Sequence, residues 1–250
     1  MRVEIVKGAI AEGIATFALT FVGAAAVCTD AYTGGEVGLI GVAMAHGIIL
    51  AVMVTATGHV SGGHVNPVVT LAAAMTRAVD GVTAAAYVGA QLLGATVAGL
   101  LLTATFAADV WMPVSLGTPV LGPGVEPGTA IFVEAVLTFF LVFVILQVAL
   151  DARAPRHVYG LAIGLVLMGD MLAGAPLTGA AVNPARAFGP ALASGTWTHQ
   201  YVYWIGPVVG AVIATVAHAL LGADALAIWT TEAAETGRAQ EPLEGPGPAE

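Results

Sequence analysis

The chain is short of charge. Of its 250 residues only 9% are Asp, Glu, Lys or Arg, and only seven are basic. A soluble domain carries about a quarter of its residues as charges, so a water-exposed globule of this size is excluded. Seven basic residues in a chain of net charge −9 leave no basic patch for nucleic acid, and none is expected as a partner. The single cysteine, Cys28, excludes an internal disulfide and says nothing of redox compartment. The apolar stretches hold no metal-spaced His pair, Ser–Lys dyad or paired Asp. An intramembrane enzyme therefore lacks its machinery, and no cofactor or metal is expected. Met1–Lys7 is too short and mixed for a signal-peptide head, so the first apolar stretch is expected to be retained.

What the chain has instead is apolar length. Mean hydropathy is +0.91. Uncharged runs cover 13–29, 37–76, 81–108, 135–150 and 187–223, several of them beyond the roughly 20 residues that a bilayer crossing requires. This predicts an all-α, multi-pass integral membrane protein, with the lipid bilayer as solvent. Six spans are read near 8–28, 37–57, 83–105, 129–149, 157–174 and 200–221. Two further apolar pieces, 66–76 and 183–194, are too short to cross and read as re-entrant half-helices. Loop 106–128 is rich in Pro and Gly, and the acidic stretch 231–250 reads as a disordered tail.

Basic residues orient the spans. With both termini in the cytoplasm, Arg2, Lys7, Arg77, Arg153, Arg156 and Arg238 all fall on the cytoplasmic side, and only Arg186 does not. The chain also repeats. "AEGIATFALTFV" (11–22) resembles "VEAVLTFFLVFV" (133–144), and "GHVNPVVT" resembles "AAVNPARA". Glu12 precedes Asn66 by 54 residues, and Glu134 precedes Asn183 by 49. Each repeat holds three spans, an odd number, so the second enters from the opposite face: an inverted repeat.

Broken backbone at membrane depth persists only inside protein or beside a water-filled path. Segments 58–66 and 174–183 carry glycines and uncharged polar residues, so both are expected to line one such path. Asn caps a helix well and Pro opens one well, which makes Asn66-Pro67 and Asn183-Pro184 natural half-helix starts. Helix N–H groups occupy each Asn oxygen, leaving its NH₂ donors for the path. Two half-helices inserted from opposite faces also bring two positive dipole ends together.

The paired boxes "SGGHVNP" and "NPARAFGPA", on an inverted six-span frame, resemble the aquaporin (major intrinsic protein) family over roughly residues 8–221. The resemblance implies one channel domain over 1–230, with repeats near 8–108 and 129–221. It implies a homotetramer passing water and small neutral solutes, with the plasma membrane as the expected location. Asn66, Pro67 and Val68, with Asn183, Pro184 and Ala185, are then the pore motifs; Val68 stands where the family usually has Ala. The carbonyls of Gly62, Gly63 and His64, and of Gly179, Ala180 and Ala181, become the acceptor ladder. Arg186 becomes the selectivity-filter arginine, its counterpart in the first repeat being Val69. Spacing from the boxes assigns His46, Met171 and Ala180 to the other filter positions. A His–aliphatic–Ala pattern resembles the plant tonoplast branch, which implies passage of ammonia, urea or hydrogen peroxide beside water. A filter His46 beside Arg186 is expected to be neutral; a core histidine is its alternative reading. Ala187 and Ala191, where glycerol channels of the family carry an Asp and a basic residue, favour water over glycerol.

Glu12 and Glu134 are intramembrane acids, open to a proton relay or to structural support of the re-entrant loops. Their symmetric placement favours support. Asp170 is open between orienting the second loop and reaching outer water. His59 reads as a mouth residue, and Cys28 and His218 as packing residues. The competing functions are a strictly water-selective pore, a glycerol facilitator, a secondary transporter built on the same inverted-repeat logic, and a purely structural junction protein.

Overall fold

Asn-Pro pairs and apolar length decide where the helices begin and how far they run. The computed structural model describes residues 2–150 and 154–236. Nine α-helices are described: α1 (Arg2–Tyr32), α2 (Gly38–Ser61), α3 (Pro67–Met75), α4 (Gly81–Thr105), α5 (Ala108–Trp111), α6 (Pro127–Ala149), α7 (Tyr159–Thr178), α8 (Pro184–Ser194) and α9 (Val202–Thr236). No strand occurs among the described residues. Six helices are long and apolar enough to span a membrane: α1, α2, α4, α6, α7 and the Val202–Gly222 part of α9.

The half-helices start where the Asn-Pro pairs direct. Asn66 is extended (φ −152°), its side chain accepts from the Val68 N–H, and Pro67 opens α3. Asn183 is likewise extended (φ −151°) and accepts from Ala185 and Arg186 ahead of Pro184. Helix α1 runs well beyond the apolar stretch at 8–28: Glu4 and Lys7 pair one turn apart (3.0 Å) and let it continue past its apolar part. Helix α7 also outruns its sequence reading, passing through Pro176 to Thr178 and closing on left-handed Gly179. The segment read as one loop at 106–128 holds α5 and a 3-10 turn at Ser115–Gly117 before α6 begins. Helix α9 continues to Thr236, past the expected start of the tail near 231. The rest of that tail, 237–250, lies outside the described residues, as do Arg153 and Arg238.

The packing repeats with the sequence. Helix α1 packs on α2 and α4 as α6 packs on α7 and α9, and α2 meets α7 across the centre. Close backbone approach needs glycine where these pairs cross. A Cβ on Gly164 of α7 would strike the Gly47 carbonyl of α2, and one on Gly94 of α4 would strike that of Gly13 on α1. Leu, Ile and Val line the outward faces, for example Ile10, Leu93, Leu100 and Ile213, as a lipid-facing surface requires. The loop after α2 enters the bundle from the face that carries the N-terminus. The loop after α7 enters from the far face, and α3 and α8 meet between them.

Candidate transmembrane pore

Each re-entrant loop is held from behind by a buried glutamate. Glu12 Oε1 accepts from Ser61 Oγ (2.6 Å) and the His64 N–H (2.8 Å). Its Oε2 accepts from the Val65 N–H (2.6 Å) and Gln91 Nε2 (2.8 Å). Glu134 repeats the pattern: Oε1 accepts from Thr178 Oγ1 (2.7 Å) and the Ala181 N–H (2.9 Å), and Oε2 from the Val182 N–H (2.8 Å). Ser61 Oγ in turn accepts from the Gly63 N–H, and Thr178 Oγ1 from that of Ala180, each at 3.1 Å. Both carboxylates are fully buried, and neither lines a cavity. Of the two roles open to them, this is the geometry of support.

These clamps hold left-handed backbone that glycine adopts readily but Val65, Ala180 and Val182 would not adopt freely. Gly62, Gly63 and Val65 have φ of 94°, 64° and 57°, and Gly179, Ala180 and Val182 have 82°, 44° and 44°. A β-branched residue at positive φ is a genuine outlier, and such strain costs on the order of 1–3 kcal/mol at each position. One result is a row of free acceptors. Among the described residues no donor reaches the carbonyls of 62–64 or of 179–181. Such acceptors at membrane depth require water.

The two Asn side chains cross over. Asn66 Nδ2 donates to the Val182 carbonyl (2.8 Å), and Asn183 Nδ2 donates to that of Val65 (2.9 Å). Sequence reasoning left both amide hydrogens of each Asn to the path. The structure gives one of each pair to the opposite loop, because the two half-helices meet end to end and bring each valine carbonyl within reach. One donor per Asn remains, and both Asn side chains line the cavity.

That cavity is narrow, about 20 Å³ of space open to water. Leu19, Leu50, Leu141 and Leu167 make its apolar walls, and His46, His64, Asn66, Asn183 and Arg186 its polar line. Toward the N-terminal face lies a wider cavity of about 460 Å³, which shares His64, Val69 and Ile145 with it as lining. His59 and Tyr159 line the wider part, so His59 sits at a mouth as read.

His46 and Arg186 come together at the other end. His46 Nε2 lies 3.1 Å from Arg186 Nη2, and Nδ1 lies 2.9 Å from the Val42 carbonyl. A carbonyl needs a hydrogen from Nδ1 and a guanidinium needs a lone pair on Nε2, so the ring is the neutral Nδ1–H tautomer. Arg186 Nη1 is buried and has no partner among the described residues.

Some expected site residues stand elsewhere. Ala180 lines the cavity, but Met171 does not. Met171 is 2% exposed and belongs to the packed cluster of Leu137, Leu141, Leu167 and Ala180; Leu167 and Ile163, one and two turns earlier, supply the wall that α7 presents. Gly63 and Gly179 are not among the lining of either cavity, and a Cβ on them would press on Val54 of α2 and on Pro119. Val68 points away from the path into a cluster with Val142, Leu146 and Ala211, where its extra volume over alanine is accommodated. Asp170 is 95% buried (5% exposed), lines neither cavity, and has no partner on Oδ2 among the described residues. His218 packs against Gln147, and Cys28 among Ala24, Leu102 and Leu116.

Sequence reasoning missed Gln91, which donates to Glu12 and to Thr70 Oγ1 (3.0 Å). Its signal was a lone amide in the apolar stretch 81–108. It also missed Tyr203 as a support: the hydroxyl of this buried residue donates to the Thr178 carbonyl (2.9 Å).

An inverted repeat, two crossed Asn caps and a polar-lined cavity where the half-helices meet narrow the fold to one group of proteins. The family model for major intrinsic proteins matches residues 1–218. The chain belongs to that family. It is 45% identical over 215 residues to Aquaporin TIP4-4 of Zea mays, covering 84% of each chain. To Aquaporin NIP1-1 of Zea mays it is 41% identical over 222 residues, covering 88% of this chain and 77% of that one. Its fold matches the X-ray structure of the aquaglyceroporin from Plasmodium falciparum with a TM-score of 0.74 at 23% identity, covering 84% and 94% of the two chains. The protein is thus a multi-pass integral membrane channel of the aquaporin family.

Proposed function

We propose that this channel passively conducts water and small neutral solutes, ammonia among them, and excludes protons and ions. The observation that carries the reading is the pair of crossed asparagines. Each keeps one donor for the path at the point where two helix N-termini converge. A water there accepts from both Asn and directs its own hydrogens outward to its two neighbours. The file of hydrogen bonds reverses at that water, so no continuous proton wire forms, and the converging dipoles repel cations. His46, Ala180 and Arg186 form the filter, with the unpartnered Arg186 Nη1 offered to passing solutes. Arg2, Lys7 and Arg77 lie on the face that carries the N-terminus, which supports a cytoplasmic N-terminus and, after six spans, a cytoplasmic C-terminus. Assembly as a homotetramer rests on the family resemblance.

A stricter reading, water alone, has its own support. The guanidinium of Arg186 is tethered to His46 in the cavity lining, and the cavity holds only about 20 Å³, which favours a narrow path. Stopped-flow light scattering on proteoliposomes, paired with internal-pH recording during an ammonia pulse, separates the two readings. Fast flux of both water and ammonia supports the wider one. Water flux with ammonia entry equal to that of protein-free vesicles selects the stricter one. Absence of water flux above protein-free vesicles overturns both.

A further inference from the structure

His46 is a large ring in a place with no room to spare. It is 1% exposed, lines the cavity, and is bonded at both nitrogens. Behind it stands Gly23 of α1. A Cβ built on Gly23 would lie 2.5 Å from the ring Cδ2 and 2.9 Å from Cε1, and would overlap Nε2, the atom that holds Arg186. Real carbon contacts do not reach such distances, so any side chain at 23 would have to push the ring toward the cavity and off Arg186.

The other repeat supplies the contrast. There the counterpart of Gly23 is Ile145 and that of His46 is Ile163, and both line the cavity with their own side chains. Where the path is walled by aliphatic groups, the position behind is filled. Where a ring forms the wall, the position behind is empty, and the ring occupies that volume.

We propose that Gly23 is a positioning residue for the filter: its missing side chain sets the depth of the His46 ring, and so both the His46–Arg186 bond and the width of the path. This rests on the reading of His46 and Arg186 as the filter. It makes residue 23, which touches no solute, a determinant of which neutral solutes pass.

The test uses the full chain in proteoliposomes, with water, ammonia and urea as probes and flux normalised to incorporated protein. Gly23→Ala should lower water flux about tenfold, because the displaced ring enters a single-file path. Adding His46→Ala to Gly23→Ala should restore flux to the level of His46→Ala alone. Unchanged flux in Gly23→Ala overturns the proposal, as does a loss that His46→Ala fails to restore, since that marks a helix-packing defect. If Gly23→Ala does not fold, a folded and conducting double variant still supports the clash with the ring, and a double variant that also fails to fold overturns it. The filter reading is judged separately by His46→Ala alone, which should raise the urea-to-water ratio. An unchanged ratio there removes His46 from the filter without bearing on whether the ring rests on Gly23.

Discussion

The two re-entrant loops are near copies in backbone and differ in what surrounds them. In both, a buried glutamate takes the same two backbone N–H groups and one hydroxyl, the residue before Asn has positive φ, and the Asn donates to the opposite loop. The first loop has a further prop in Gln91, which binds Glu12 and Thr70, and Thr70 Oγ1 reaches His64 Nδ1 (3.1 Å). The second has Ala187 in place of Thr70 and, one residue before it, Arg186 in place of Val69. The comparison teaches that the shared parts build the path and the unshared parts give its ends different characters. One end carries the buried Arg186–His46 pair, and the other is a wide vestibule at His59 and Tyr159.

Removing the glutamate clamps should have the largest effect. Glu12→Ala strands four donors and Glu134→Ala strands three. Each stranded buried donor costs about 1–3 kcal/mol, so both variants should lose several kcal/mol. Glu12→Ala should lose more, read as the lower melting temperature in detergent. Equal melting temperatures would show that Gln91 contributes nothing. Arg186→Val makes the second repeat match the first at the constriction. Ammonia flux relative to water should rise about tenfold, the equivalent of about 1.4 kcal/mol in barrier, when measured on proteoliposomes. An unchanged ratio would move the constriction away from Arg186.

Gln91→Leu takes from the first loop a prop that the second loop does not have. It removes two hydrogen bonds, worth about 1–3 kcal/mol together. Melting temperature should fall by a few degrees with unit water permeability retained; a collapse of permeability would give Gln91 a part in the path itself. The smallest effect is expected at Cys28, which is fully buried among Ala24, Leu102 and Leu116, away from both cavities. Mercurials should inhibit water flux weakly. Strong inhibition abolished by Cys28→Ser would contradict that placement.

Much of this asymmetry was readable from the chain, and the reasons mark where reading stops. The half-helix starts at Pro67 and Pro184 were legible because the Asn-Pro signal is local. The support by Glu12 and Glu134 was legible because the repeat placed both alike. The ends of α1 and α7 were not, since α1 continues through charged Glu4 and Lys7 past its apolar part, and α7 continues through Pro176, a residue that usually ends a helix. The turn of Met171 into the core was not, because spacing from a motif gives a residue's height along a helix but leaves its facing to the neighbours. The crossing of each Asn onto the opposite valine carbonyl, and the seat of His46 on Gly23, are contacts between elements distant in sequence. No local pattern announces them.

The central claim is that the crossed asparagines pass water while breaking the proton wire. The most direct test measures osmotic water flux and proton conductance on the same proteoliposomes, with a pH-sensitive dye inside and an imposed pH gradient. Fast water flux with a low activation barrier is expected, with proton leakage no greater than that of protein-free vesicles. Proton conductance that rises with the amount of incorporated channel, in step with water flux, would contradict it.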